Sequence, residues 1–173
     1  ELKKFKTIHG NEVVPTLDEV LQLCQGKMFI NIELKDTQVK ETYDKVIGLV
    51  EKYNMINQIA ISSFNHEYIN EIKKYPKKIE FGYLYYSKND KDFKPYDLNV
   101  NNCSINLFID DVDEELVKKI HEKGIGVMCW CEMDQPETEV LYEKIFKLGV
   151  DVLCCNEPEK ALIFRNKYFG IKN

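Results

Sequence analysis

Arginine is almost absent from this 173-residue chain: of its 24 basic residues, only Arg165 is an arginine. The lysines are scattered among 29 acidic residues and the net charge is −5, so no concentrated basic face is offered to a nucleic acid. No apolar run approaches the roughly 18 residues of a transmembrane segment. A glycine-rich phosphate loop is missing too, which removes the usual nucleotide-binding signature. The six cysteines, Cys24, Cys103, Cys129, Cys131, Cys154 and Cys155, show no Cys-x-x-Cys spacing of the kind that marks zinc sites. All but Cys24 fall on apolar, strand-like runs, where a thiol behaves as a small hydrophobe. Buried, reduced thiols are therefore expected, and with them a reducing, cytoplasmic compartment.

What is present is alternation. Short apolar runs occur at Met28–Leu34, Gln58–Ser62, Ile79–Leu84, Cys103–Phe108, Ile125–Trp130 and Val150–Cys155. Amphipathic segments separate most of them. Val39, Tyr43, Val46, Ile47, Val50 and Tyr53 recur at three- and four-residue intervals, the spacing of one helix face. Shorter versions are Tyr68, Ile69 and Ile72; Leu116, Val117 and Ile120; and Val140, Leu141, Ile145 and Leu148. Thr16 and Glu19 form a capping-box pattern, Asp113 and Asp134 are expected N-caps, and Gly26, Gly124 and Gly149 stand where helices should end. With 44% hydrophobic residues, residues 1–173 read as one domain. Strands buried on both faces, each followed by a helix, point to parallel pairing with helices outside. Six such units fit either part of an eight-stranded barrel or an open doubly wound sheet. A polar insertion, residues 86–102, follows a strand and is expected at the ligand-binding side as a loop or lid; a plain solvated loop reads equally well.

Strand geometry singles out Asn31-Ile32-Glu33-Leu34-Lys35. Alternation puts Asn31, Glu33 and Lys35 on one side and Ile30, Ile32 and Leu34 on the other. If the apolar set meets helices, the polar set points into the barrel near its C-terminal mouth. There a carboxylate can bind Mg²⁺ or Ca²⁺ and a lysine can neutralise a phosphate oxygen. An inward ion pair with a purely structural role fits the same residues.

The order of short motifs adds to this reading. Val14-Pro15-Thr16-Leu17-Asp18-Glu19, Asn31-Ile32-Glu33-Leu34-Lys35, Ile61-Ser62-Ser63-Phe64, Gly82-Tyr83-Leu84, Gly124-Ile125-Gly126-Val127-Met128-Cys129-Trp130 and Leu148-Gly149-Val150-Asp151 resemble, in order, the motifs of the glycerophosphodiester phosphodiesterase family. The resemblance runs from about residue 14 to residue 160. It implies a TIM-type (β/α)8 barrel whose third to eighth strands lie here. It further implies a metal-dependent hydrolase of lipid metabolism that releases glycerol 3-phosphate and an alcohol from small glycerophosphodiesters. By the same resemblance Glu33 matches a metal ligand for Mg²⁺ or Ca²⁺, Lys35 the catalytic residue that contacts phosphate, and Phe64 and Trp130 positions lining the substrate pocket.

Departures from the family pattern are specific. The histidine-arginine-glycine motif and the second acid pair are absent, and they are expected upstream of residue 1. His9 reads as a loop residue, and His66 and His121 as helix residues, solvated or packed. Cys131-Glu132-Met133 replaces a usual threonine-x-asparagine, and Cys155-Asn156-Glu157-Pro158 replaces threonine-aspartate-arginine-proline. Two alternatives therefore stand beside the hydrolase: a non-catalytic barrel remnant that binds or interacts, and an open α/β sheet with Glu33–Lys35 as an ion pair. In the barrel reading an upstream segment or a partner chain is expected to cover the open strand edges and complete the site.

Overall fold

The computed structural model describes residues 2–8, 10–35, 39–74, 79–88 and 103–172. Helix α1 (Leu17–Cys24) leads into β1 (Ile30–Glu33), α2 (Val39–Lys52), β2 (Ile59–Ser63), α3 (His66–Ile72) and β3 (Glu80–Tyr85). The chain continues through β4 (Cys103–Phe108), α4 (Glu114–His121), β5 (Gly126–Trp130), α5 (Glu139–Leu148), β6 (Val152–Cys154) and α6 (Pro158–Phe169). His9 and the polar insertion beyond Lys88 lie outside the described residues.

The six strands form one sheet in the order β1-β2-β3-β4-β5-β6, every neighbouring pair parallel. A doubly wound sheet reverses its strand order at a switch point. Here the order never reverses, so each crossover advances the sheet in one direction and the sheet curls as part of a barrel. The open-sheet alternative is thereby excluded.

Burial separates the two faces of that sheet. Ile32, Ile59, Ile61, Phe81, Tyr83, Ile105, Leu107, Val127 and Cys129 alternate along the strands and join one core with Tyr43, Val46, Ile47, Val50, Ile69, Ile72, Val117, Ile120 and Ile145 of the helices. This is the convex, helix-covered face. The other face carries Asn31, Glu33, Ser62, Ser104 and Asn106, which stand beside one another in the strand register. Gly82 belongs to the same row; a Cβ there would lie 2.3 Å from Asn106 Nδ2, so only glycine lets the buried Asn106 amide cross it.

Several expectations hold and others are corrected. The Thr16–Glu19 capping box forms with both reciprocal bonds, at 3.3 and 2.7 Å, and Asp113 caps α4 at 2.8 Å. Asp134 does not cap α5. Glu137 is drawn inward to bind the turn before α6, so the helix begins one residue after Thr138, whose hydroxyl accepts from the Leu141 amide. Val140, placed by spacing on the buried face, is exposed, because Leu141, Tyr142, Ile145 and Leu148 define that face about 100° away. Among the cysteines only Cys24 and Cys129 are buried; Cys103, Cys131 and Cys155 are half-buried and Cys154 is exposed, because β6 has a neighbour on one side only. Helix α6, which the apolar spacing did not mark, docks on α5 through Tyr142–Phe164, Phe146–Tyr168 and Phe146–Phe169 ring contacts.

Candidate active site

The concave face changes character from one end to the other. At the strand starts, Phe29, Asn31, Ala60, Glu80, Ser104, Gly126, Met128 and Val152 are among the residues that line a hollow of about 530 Å³. Their side chains are mostly small or apolar; Glu80 and Asp151 are the charged residues of the lining, and Asp151 is bound to His121 at 2.9 Å. At the strand ends the population is aromatic and charged.

Glu33 is the last residue of β1, in register with Ser62 of β2 and hence on the concave side. Lys35 follows two positions later, its Nζ 3.5 Å from Glu33 Oε1. The lysine side chain is 79% exposed and the glutamate 31% exposed. An ion pair of this length and exposure contributes little to stability. The ammonium is therefore free to turn toward an anion entering the mouth. Ile32 and Leu34, which alternate with them, are the residues buried on the helix-covered side, so Glu33 lies on the inward face expected from strand parity.

Four consecutive strands then contribute one ring each, always at the next concave position beyond or at the strand end. Phe64 follows β2, Tyr86 follows β3, and Phe108 and Trp130 close β4 and β5. The rings touch: Phe64–Trp130 centroids are 5.8 Å apart, Tyr86–Trp130 5.5 Å, Phe108–Trp130 5.0 Å and Tyr86–Phe108 4.9 Å. Their planes cross at 52° to 87°, so they form walls at angles and not a flat stack. The Trp130 indole N–H donates to the Asn106 carbonyl at 3.3 Å, which fixes the ring's orientation. Above this wall the same side of the mouth bears Lys88, Glu132 and Asp110. Tyr86 donates its hydroxyl to Glu132 Oε1 at 2.6 Å, and Lys88 Nζ lies 4.0 Å from the same oxygen. Tyr86, first through its hydroxyl, and then the Glu132 and Asp110 charges hold the Lys88 ammonium above its ordinary range. Ser87, one residue earlier, is pinned by Asp111, which accepts from its amide at 2.9 Å and from its hydroxyl.

Phe64 and Trp130 are thus brought together, as are Glu33 and Lys35. Tyr86, Lys88 and Phe108 escaped the motif comparison, and Glu132 entered it only as part of a departure from the family pattern. Their signal was simple parity: each lies an even number of residues from an inward strand position.

The remaining reactive groups are placed elsewhere. His66 donates Nε2–H to the Leu84 carbonyl at 2.6 Å and packs against Tyr83. His121 meets Asp151 at 2.9 Å, at the opposite end of the sheet. The thiols of Cys103, Cys129, Cys131, Cys154 and Cys155 are held above the ordinary cysteine range, burial of the sulfur being the first cause. Burial pushes Cys131 up to about 12, with the Glu137 charge adding to it, and burial raises Cys129 further still. Cys154 is exposed as a residue, yet the partial burial of its sulfur, and then the Glu137 and Glu33 charges, raise its thiol as well. Among the described residues no group of three or more His, Cys, Asp or Glu is arranged to hold a metal ion. Glu33 is one carboxylate with a lysine as neighbour, so these residues do not by themselves fit a divalent ion.

Comparison with known proteins accords with this geometry. Residues 1–160 match the glycerophosphoryl diester phosphodiesterase family. A curated glycerophosphodiester phosphodiesterase of Caldanaerobacter subterraneus subsp. tengcongensis is 30% identical over 162 residues, which is 92% of this chain and 65% of that protein. The chain thus spans less than two thirds of that relative. A crystal structure of a candidate glycerophosphodiester phosphodiesterase from Galdieria sulphuraria superposes with a TM-score of 0.79 at 24% identity, over 94% of this chain and 68% of that one. For a glycerophosphodiester phosphodiesterase of Parabacteroides distasonis the TM-score is 0.76 at 19% identity, over 96% and 70%. At these identities the structural likeness establishes the barrel-type fold alone.

Proposed function

The chain belongs to the glycerophosphoryl diester phosphodiesterase family, and on that premise we propose that it forms the larger part of a hydrolase cleaving small glycerophosphodiesters to glycerol 3-phosphate and an alcohol. The observation that carries this reading is the single concave rim on which Glu33, Lys35 and the Phe64–Tyr86–Phe108–Trp130 wall stand together at the C-terminal ends of parallel strands. Barrel enzymes work at that end, because the strand ends converge there and the loops are free to vary.

In this reading Lys35 leaves its weak pairing with Glu33 and donates to a non-bridging phosphate oxygen. Its charge then opposes the negative charge that builds on phosphorus oxygens in the transition state. The aromatic wall packs against the organic part of the substrate. Glu33 offers one carboxylate toward a divalent ion, Mg²⁺ or Ca²⁺, whose other ligands would come from outside the described residues. Neither His66 nor His121 faces the rim. The acid–base group is accordingly assigned to residues beyond these, on strands that close the barrel. A non-catalytic role finds support in Cys131 and Asn156, which depart from the family pattern, but no packing observation favours it over hydrolysis.

The test is an assay of glycerol 3-phosphate release from glycerophosphoglycerol, run on the intact protein and on residues 1–173 alone, with EDTA and with Mg²⁺ or Ca²⁺ restored. The intact protein should turn over and lose activity in EDTA. The isolated segment should be slower by at least about 10²-fold, the usual worth of acid–base assistance. Full activity from the segment, or none from the intact protein with metal present, contradicts the proposal.

A further inference from the structure

The rings around Trp130 pack against one another at angles, and a cation already lies over two of them. Lys88 Nζ lies 5.1 Å from the Tyr86 ring centre and 5.6 Å from that of Phe108, both within the range of a cation–π contact. Angled aromatic walls with a carboxylate beside them are the arrangement that surrounds a quaternary ammonium. Here Glu132 supplies that carboxylate, held by the Tyr86 hydroxyl at 2.6 Å and faced by Lys88 at 4.0 Å. The lysine's position is set from behind: Asp111 anchors Ser87, so the chain leaves β3 with residue 88 directed over the rings.

Resting on the phosphodiesterase reading of this rim, we propose that Lys88 is a specificity-determining residue: its ammonium occupies the seat over Tyr86 and Phe108 that a cationic head group would need. The pocket then rejects choline-type head groups and favours uncharged polyol ones. Two physical effects act in the same direction. A second cation brought within a few ångströms of Lys88 meets like-charge repulsion, and the ring faces it would use are taken. A polyol meets neither penalty, and its hydroxyls can accept from the lysine or donate to Glu132. Removing the charge at position 88 inverts the balance, because Glu132 and the nearby Asp110 then leave an acidic aromatic wall without a cation.

Trp130 is the one tryptophan of residues 1–173, and the ligand-dependent fluorescence is assigned to it by its loss in Trp130→Phe. Choline chloride is titrated into the intact protein and its Lys88→Met variant, with sodium chloride as the ionic-strength control and no metal added. The variant should bind choline at least about threefold more tightly than the wild type, the scale of one cation–π contact at an exposed site. Wild-type binding equal to or tighter than that of the variant overturns the proposal. Circular dichroism checks the fold, and Lys88→Gln carries the same comparison should the methionine variant fail to fold. In parallel, kcat/KM for glycerophosphocholine relative to glycerophosphoglycerol should rise about threefold or more in the variant; an unchanged ratio in an active enzyme also overturns it. If neither substrate is turned over, the hydrolase reading fails while the choline titration still decides the role of Lys88.

Discussion

Glu33 and Lys35 are two residues apart on one strand, so they share a face, and Ile32 and Leu34 settle which face it is by being buried on the other. This much could be read from the letters Asn-Ile-Glu-Leu-Lys, because strand periodicity needs no knowledge of the rest of the chain. The same reasoning could have reached Tyr86, Phe108 and Glu132, yet alternation gives only a side, and it takes the sheet's curl to show that four side chains from four strands touch. The 3.5 Å separation and high exposure of Lys35 make its role one of charge presented to a ligand, with little structural duty. Lys35→Met should therefore leave thermal stability nearly unchanged and reduce kcat/KM for a glycerophosphodiester by about 10²-fold or more, the loss typical of removing one transition-state donor. Steady-state kinetics together with a thermal melt make the check; a melting temperature that falls while activity survives would reassign the residue to structure.

Among the elements, α6 is held at its start by one acidic side chain from another segment. Glu137, only 3% exposed, accepts from the Asn156 amide at 2.5 Å, from the Glu157 amide at 3.2 Å and from the Tyr142 hydroxyl. Burial by itself would raise this carboxyl, but those donors outweigh burial and hold it below the ordinary glutamate range. Tyr142 is pushed up in turn by burial and by its bond to Glu137. Because the folded value is lowered, the stabilising contribution is complete above the unfolded value and is lost as pH falls through the folded one. Glu137→Gln, which leaves an amide group facing backbone donors, should cost about 1–3 kcal/mol at pH 7. Urea unfolding should show that gap constant down to about pH 5 and closing below about pH 4; a gap independent of pH would remove the charge from the explanation. The sequence could not disclose this contact. Asp134 and Pro136 carry a good local helix-start signal, and only the approach of the β6–α6 turn from 19 residues away turns Glu137 inward and moves the start of α5 to Glu139. The Thr16–Glu19 box, whose partners are three residues apart, was legible for the opposite reason.

At the scale of the whole molecule the sheet ends, among the described residues, in two open edges. Met28 and Phe29 before β1 are 56% and 53% exposed, Val152 on β6 is 53% exposed, and the concave hollow opens between these edges. The six-unit alternation of strands and helices announced the parallel architecture, while the sequential strand order, which distinguishes curl from double winding, emerged only from pairing. Uncovered edges and apolar rims attract other chains. Residues 1–173 produced alone should therefore bind an apolar dye and associate with rising concentration in light scattering, whereas the intact protein should do neither; a monodisperse, dye-silent segment would show that the edges need no cover. The account as a whole rests on the concave rim acting on phosphate. Its most direct test is glycerol 3-phosphate release by intact protein bearing Glu33→Gln, measured beside the wild type under saturating Mg²⁺ or Ca²⁺. A loss of about 10²-fold or more in a variant that folds normally is the predicted result. Turnover within about twofold of wild type would contradict it.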